Sequence, residues 1–243
     1  MKRVVLIGLL ALVLVSLVTV SVGAGVSQTW YFTGRAYAGS PANDGTRHSC
    51  DNFMTKSLPH GPLKLEWIGE ICKRTRTAWW YAERPAGADV AFGEGTWHVN
   101  LWYWNSFRSG TLYADVYSVR PDGQIDRLLA SGSVPITAVC KLQSVSIACS
   151  DAPGPQTVLE GYRLAVRLKY ETDYPFDGML VFYNCPKWPS SLVSPATDPG
   201  YPLPELPTVA LLGSGLVLMV GYWGLRRSRA VARNVEDKVG KCS

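Results

Sequence analysis

The side chains best suited to acid–base chemistry in this 243-residue chain are aspartates that lie close together in sequence. The candidates are Asp115, Asp122, Asp126, Asp173 and Asp177. Paired carboxylates can act as a general acid and base or bind calcium, but aspartate is also common at turns, as in Asp122-Gly123. The chain has neither a G-x-S-x-G nor an H-E-x-x-H motif. We therefore predict that it is not an enzyme and has no catalytic residues.

The cysteines and histidines show no metal-ligand spacing, which predicts that the chain has neither a metal site nor another cofactor. The cysteines instead fit disulfides formed outside the cell. Cys140 and Cys149 flank a short segment that could double back, which predicts a disulfide between them. Cys50 and Cys72 bracket a turn-rich stretch and form the second predicted pair. Cys185 then has no predicted disulfide partner.

The aromatic residues offer a candidate binding site. In a strand, Trp97, Val99, Leu101 and Tyr103 share a core face, and the opposite face carries His98, Asn100, Trp102 and Trp104. Two exposed indoles two residues apart form a flat platform that stacks on sugar rings or proline-rich segments. The alternative is that both indoles lie under a loop or against a second copy. We interpret His98, Asn100, Trp102 and Trp104 as a candidate glycan platform.

Period-two alternation extends over most of residues 25–185 and predicts an all-β domain. From Tyr162 to Tyr170, for example, Leu164 is expected in the core and Arg167 on the opposite face. Met179 to Tyr183 is apolar throughout and predicts a fully buried strand. Many short strands joined by Gly and Pro turns indicate two packed antiparallel sheets, a β-sandwich.

The two ends of the chain predict a membrane topology. Residues 1–24 have the positive, apolar and small-residue order of a signal peptide, with an uncleaved anchor as the alternative. The proline-rich segment 186–207 reads as a stalk, and the uncharged run Thr208–Leu225 is long enough for one transmembrane helix. The basic tail 226–243 is then cytoplasmic and the domain extracellular, in a single-pass protein of the cell membrane. The arginines that stop transfer are Arg226, Arg227 and Arg229.

Charge excludes one class of partner. The formal net charge is +5, but the segment Gly25–Pro207 alone sums to −1, because the excess of basic residues lies at the two ends of the chain. A nucleic-acid groove needs its basic excess in the folded domain. We therefore predict no nucleic-acid partner.

The C-terminal region resembles the sorting signals of the PEP-CTERM and PEF-CTERM type, which exosortases and archaeosortases process. The motif residues are Pro204, Glu205, Leu206, Pro207 and Thr208, followed by the apolar run and the arginine cluster. The resemblance implies a sortase-like processing enzyme as a partner. A permanent membrane anchor is the alternative.

The domain resembles jelly-roll-like modules of prokaryotic surface proteins. The motifs that carry the resemblance are Gly95–Leu101, Asp122-Gly123, Leu159–Val166, Val181–Tyr183 and Pro189–Pro195. The resemblance implies architecture and no chemistry. Together these features predict a membrane-anchored envelope protein with a structural or adhesive role and a surface glycan or envelope protein as partner. The alternatives are a carbohydrate-binding module and, less favoured, a hydrolase.

Overall fold

Thirteen β-strands form the regular structure in a computed structural model that describes residues 26–71, 74–105, 108–154, 156–174 and 177–201. They are β1 (Thr29–Ala36), β2 (Arg47–Thr55), β3 (Lys64–Ile71), β4 (Arg74–Ala82), β5 (Val90–Ala91), β6 (Thr96–Asn105), β7 (Gly110–Val119), β8 (Ile125–Ile136), β9 (Val139–Asp151), β10 (Thr157–Val158), β11 (Arg163–Glu171), β12 (Gly178–Tyr183) and β13 (Ser191–Val193). The predicted all-β class is confirmed.

The predicted sandwich of two separate sheets is wrong, because the strands close on themselves. Hydrogen bonding runs β11-β7-β8-β9-β6-β13-β1-β2-β4 and returns to β11, which makes a closed barrel of nine strands within the described residues. Strands β12 and β3 pair with each other and connect β6 to β4.

Closure results from two long strands that change neighbours along their length. In β4, Arg74–Arg76 pairs with β3 and Thr77–Tyr81 pairs with β11. In β6, His98–Asn100 pairs with β13 and Trp102–Trp104 pairs with β12. Alternation in a sequence shows which face a residue occupies, but it carries no information on which strand lies beside it. The barrel therefore could not be distinguished from a sandwich by periodicity.

The interior follows the predicted alternation on β6. Trp97 and Val99 are fully buried, and Leu101 and Tyr103 lie on the same inward face. Across the interior, Trp80 of β4 stacks on Phe32 of β1 with ring centroids 4.4 Å apart. The inward residues of both sides form one continuous apolar core.

The predicted disulfides are also wrong. Cys140 and Cys149 lie on the same strand, β9, which runs straight through the segment expected to double back. Nine residues of strand separate two Cα atoms by about 30 Å, whereas a disulfide requires less than about 7 Å. Cys50 carries a free thiol, so its predicted bond to Cys72, which lies outside the described residues, is not formed either. Cys185 is likewise a free, buried thiol.

No helix among the described residues has the length and apolar character needed to cross a membrane. The predicted signal peptide, the run Thr208–Leu225, the stop-transfer arginines and the motif Pro204–Thr208 all lie outside the described residues.

Candidate functional site

The predicted platform residues lie on the outer side of the barrel wall. His98 is exposed, and Asn100, Trp102 and Trp104 are half-buried, so the two indoles are neither enclosed by the core nor fully in solvent. The structure thus places the four residues together on one face of β6, as the alternation predicts. Their binding of a glycan stays a prediction.

Strand register extends this face across β12 and β3. Trp104 lies opposite Leu180, which lies opposite Trp67. One step along, Trp102 lies opposite Phe182, which lies opposite Leu65. Directly paired residues project on the same side of a sheet, so these side chains form two parallel rows. We call the six residues of these rows the open face.

A glycine lets one member of the open face lie flat. A Cβ atom at Gly178 would collide with the indole ring of Trp67 and with the carbonyl oxygen of Ile68. The Trp67 ring therefore lies over the space that a side chain at position 178 would fill. This arrangement turns a flat aromatic surface outwards from the sheet.

All members of the open face keep solvent contact. Leu65 is 49% exposed, and the other five side chains are half-buried. The prediction that Met179–Tyr183 is a fully buried strand is therefore wrong for Leu180 and Phe182, which point out of the barrel. An exposed group of large apolar side chains usually marks a binding surface.

Two cations border the open face. The Arg76 guanidinium lies 6.0 Å from the centroid of the Trp67 ring. The Lys187 ammonium lies 4.7 Å from the centroid of Trp188, whose ring meets Phe182 edge-on at 5.9 Å. Both cations lie over aromatic faces, where the ring quadrupole favours positive charge.

A different outer face, on β2, β4, β11 and β7, carries a charged network. Asp51, Trp79, Arg167 and Asp115 lie in register across these four strands. Arg167 donates to Asp115 at 2.7 Å and to Asp44 at 3.2 Å. The network holds a loop in place, because Asp44 belongs to the segment between β1 and β2.

His48 lies at the centre of this network, between two carboxylates. Its Nδ1 is 2.8 Å from Asp51 Oδ1, and its Nε2 is 3.2 Å from Asp44 Oδ1. Burial opposes the charged ring, but the hydrogen bonds to Asp44 and Asp51 outweigh it and raise the pKa of His48 to about 9.

The pKa of Asp44 moves the other way. Burial acts to raise it, but hydrogen bonds from His48, Thr46 and Arg167 outweigh burial and hold the pKa of Asp44 well below its usual range. An imidazolium with both nitrogens engaged cannot accept a proton at neutral pH, so this arrangement is suited to holding structure rather than to general base catalysis.

The aspartates considered for catalysis have separate local roles. Asp115 pairs with Arg167, Asp126 binds Arg127, and Asp122 accepts a hydrogen bond from the Gln124 backbone N–H within a turn. Asp173 is exposed and Asp177 is buried. The structure describes no group of three or more His, Cys, Asp or Glu residues arranged to hold a metal ion.

Sequence reasoning found Trp102 and Trp104 but missed the other four members of the open face. Leu65 and Trp67 alternate with Glu66 and Ile68, a pattern that is compatible with a strand but does not indicate that the side with Leu65 and Trp67 faces outwards. No pattern within Met179–Tyr183 distinguishes inward from outward residues, since all of them are apolar.

No protein-family model matches this chain, and no curated protein matches it. Solved structures do share its fold. A CocE/NonD family hydrolase from Staphylococcus aureus matches with 12% sequence identity and a TM-score of 0.50, over 71% of this chain and 36% of that chain. An aminopeptidase from a marine sediment Thaumarchaeota archaeon matches with 11% identity and a TM-score of 0.50, over 69% of this chain and 36% of that chain.

The chain thus spans just over a third of the length of these two solved chains. The prediction of a membrane-anchored envelope protein with a structural or adhesive role is corrected: the solved chains that share the fold are a hydrolase and an aminopeptidase, and nothing in them points to membrane-anchored adhesion. At 11% and 12% identity, the likeness establishes the fold alone.

Proposed function

We propose that this chain is a non-catalytic protein-binding domain that recognises another folded protein through the open face. The observation that carries the proposal is the pair of in-register rows, with Trp104, Leu180 and Trp67 in one and Trp102, Phe182 and Leu65 in the other. Large apolar and aromatic side chains with partial exposure are typical of the centre of a protein–protein interface.

The composition of the rows favours a protein over a sugar. Sugar rings stack on aromatic planes, but Leu65 and Leu180 are aliphatic and offer no such plane. The face also extends over β6, β12 and β3, which is two strand spacings or about 10 Å. A surface of that width accommodates several side chains of a partner, as an interface centre does.

The absence of catalysis is part of the proposal. The most organised charged cluster contains His48 with a raised pKa and two carboxylates already paired with cations. The likeness covers just over a third of a hydrolase chain, which is consistent with a domain that works next to another domain or another protein.

Site-specific photo-crosslinking tests the proposal. The full chain carries benzoylphenylalanine in place of Phe182, and irradiation follows in the cells that make the protein. The matched control has the same replacement at Tyr113, an outward and partly exposed aromatic residue of β7. We expect one discrete protein adduct at position 182 and none at position 113. Adding Trp102→Ser should abolish the adduct.

Two results would overturn the proposal. One is equal crosslinking at both positions, or no protein adduct at position 182. The other is selective binding of the full chain to a glycan array that is lost with Trp102→Ser, which would assign the face to sugar recognition.

A further inference from the structure

The cations at the border of the open face lie over aromatic rings, as Lys56, Arg108 and Arg163 do elsewhere in the domain. Several cations of the domain form an ion pair with a nearby carboxylate. These pairs include Arg35–Glu83, Arg120–Asp126, Arg127–Asp126, Arg167–Asp115 and Lys169–Glu171. Arg76 and Lys187 form no ion pair with a described carboxylate, and each lies over a tryptophan ring instead. Their charge is therefore available to a partner.

No described side chain on the open face or its polar flank is acidic. The flank consists of His98 and Asn100 on β6 and of Ser144 and Ser146 on β9, whose register places the two serines beside Trp102 and Asn100. The cations beside this surface include Arg76 and Lys187, and Arg47 of β2 lies opposite Arg76. A complementary surface must be negative where it meets them.

From this charge distribution we infer that the partner presents an apolar centre edged by Asp or Glu side chains, which pair with Arg76 and Lys187. The inference rests on the proposed function and specifies the partner's chemistry. A second copy of this chain does not meet the requirement, because two open faces packed together would bring cations towards cations with no acidic side chain between them.

The two parts of the surface have separable effects on binding. Burial of Trp102 and Phe182 supplies most of the affinity, as desolvated aromatic side chains do at interface centres. Cations at the border mainly accelerate association, and salt screens their effect.

Charge reversal in the Phe182 crosslinking protein tests the inference. The double variant Arg76→Glu/Lys187→Glu is compared with Arg120→Glu, an exposed cation at the β7–β8 turn outside the open face. We expect the initial rate of adduct formation to fall about tenfold in the double variant and to stay unchanged in the control. When the irradiation is repeated in lysates of these cells, raising NaCl from roughly 0.05 M to 0.5 M should slow adduct formation by the parent and leave the double variant almost unaffected. The partner peptides recovered from the adduct should contain Asp or Glu beside apolar residues.

The outcomes separate this inference from the proposed function. If Trp102→Ser abolishes the adduct but the double charge reversal does not slow it, the acidic partner is wrong and the protein-binding function stands. If neither change affects the adduct, both fail. An adduct with the mass of two copies of this chain would overturn the inference in favour of self-association. Circular dichroism melts of each variant confirm that the fold is retained.

Discussion

Two outer faces of this barrel carry aromatic side chains in register, and only one of them is covered. On β4, Trp79 and Tyr81 are fully buried although they point away from the core, and Tyr117 of β7 is nearly so. We call these three residues the covered face. On β6, Trp102 and Trp104 occupy equivalent outward positions and remain half-exposed.

The cover is the segment 37–46, which connects β1 to β2 and which we call the strap. Tyr37 stacks on Tyr81 with ring centroids 4.1 Å apart, and the Ala42 backbone N–H donates to the Tyr81 hydroxyl at 2.8 Å. Asp44 then fastens the far end of the strap to His48 and Arg167. The chain therefore uses its own loop and a set of charges to remove one aromatic face from water.

The open face also carries tryptophan side chains, but no such strap lies over it among the described residues. Large apolar surfaces left in water are costly and promote association, so proteins usually cover them or use them. The contrast teaches that aromatic outward positions are compatible with either outcome, and that the difference lies in a connecting segment rather than in the strands.

Of the substitutions that test this comparison, the largest expected effect on stability comes from one in the covered face. Trp79→Ala should lower the free energy of unfolding by about 3–5 kcal/mol, because it leaves a cavity beneath the strap and removes the ring on which Arg167 and His48 lie. Urea unfolding measures it. Trp79→Phe is the control, with a cost below about 2 kcal/mol, because the Trp79 indole N–H has no hydrogen-bond partner among the described residues.

Releasing the strap should have the next largest effect. Asp44→Asn keeps the size of the side chain but leaves Arg167 and His48 without one of their carboxylates, at a cost of about 2–3 kcal/mol. Hydrogen exchange of the Ala42 and Asn43 amides should accelerate together. Asp122→Asn, at an exposed turn, is the matched control and should be close to neutral. Unchanged exchange at both amides in Asp44→Asn would show that the strap is held by its aromatic contacts alone.

The pH dependence of stability should show the contribution of the hydrogen bonds from His48 to Asp44 and Asp51. The folded pKa of His48, about 9, exceeds its ordinary value of 6.5, so its contribution is fully present below about pH 6.5 and is lost as pH rises through 9. Between these values the free energy of unfolding should fall by about 3 kcal/mol more in the wild type than in His48→Gln. Parallel curves for the two proteins would mean that folding does not raise the pKa of His48.

Much of the fold follows from local pattern, and the covered face shows where that information ends. Alternation correctly placed Trp97, Leu101 and Leu164 in the core, since a period of two specifies the side of a strand. The same alternation correctly placed Arg167 on the side away from the core but did not indicate the carboxylates that it contacts there. Contact between Arg167 and Asp44 joins residues 123 positions apart. Neither that contact nor the closure of the barrel produces a periodic pattern in the sequence.

The smallest stability effect is expected on the open face, and it sharpens the comparison most. Trp102→Ala removes the same residue type as Trp79→Ala, from an outward strand position of the same barrel. Because Trp102 already contacts water, its loss should change the free energy of unfolding by less than about 1 kcal/mol. Urea unfolding of the two variants under one set of conditions gives the difference directly. If Trp102→Ala cost as much as Trp79→Ala, the open face would be a structural surface like the covered one, and its residues would not be available to a partner. A small cost to stability together with loss of the Phe182 adduct would separate binding from folding at a single residue.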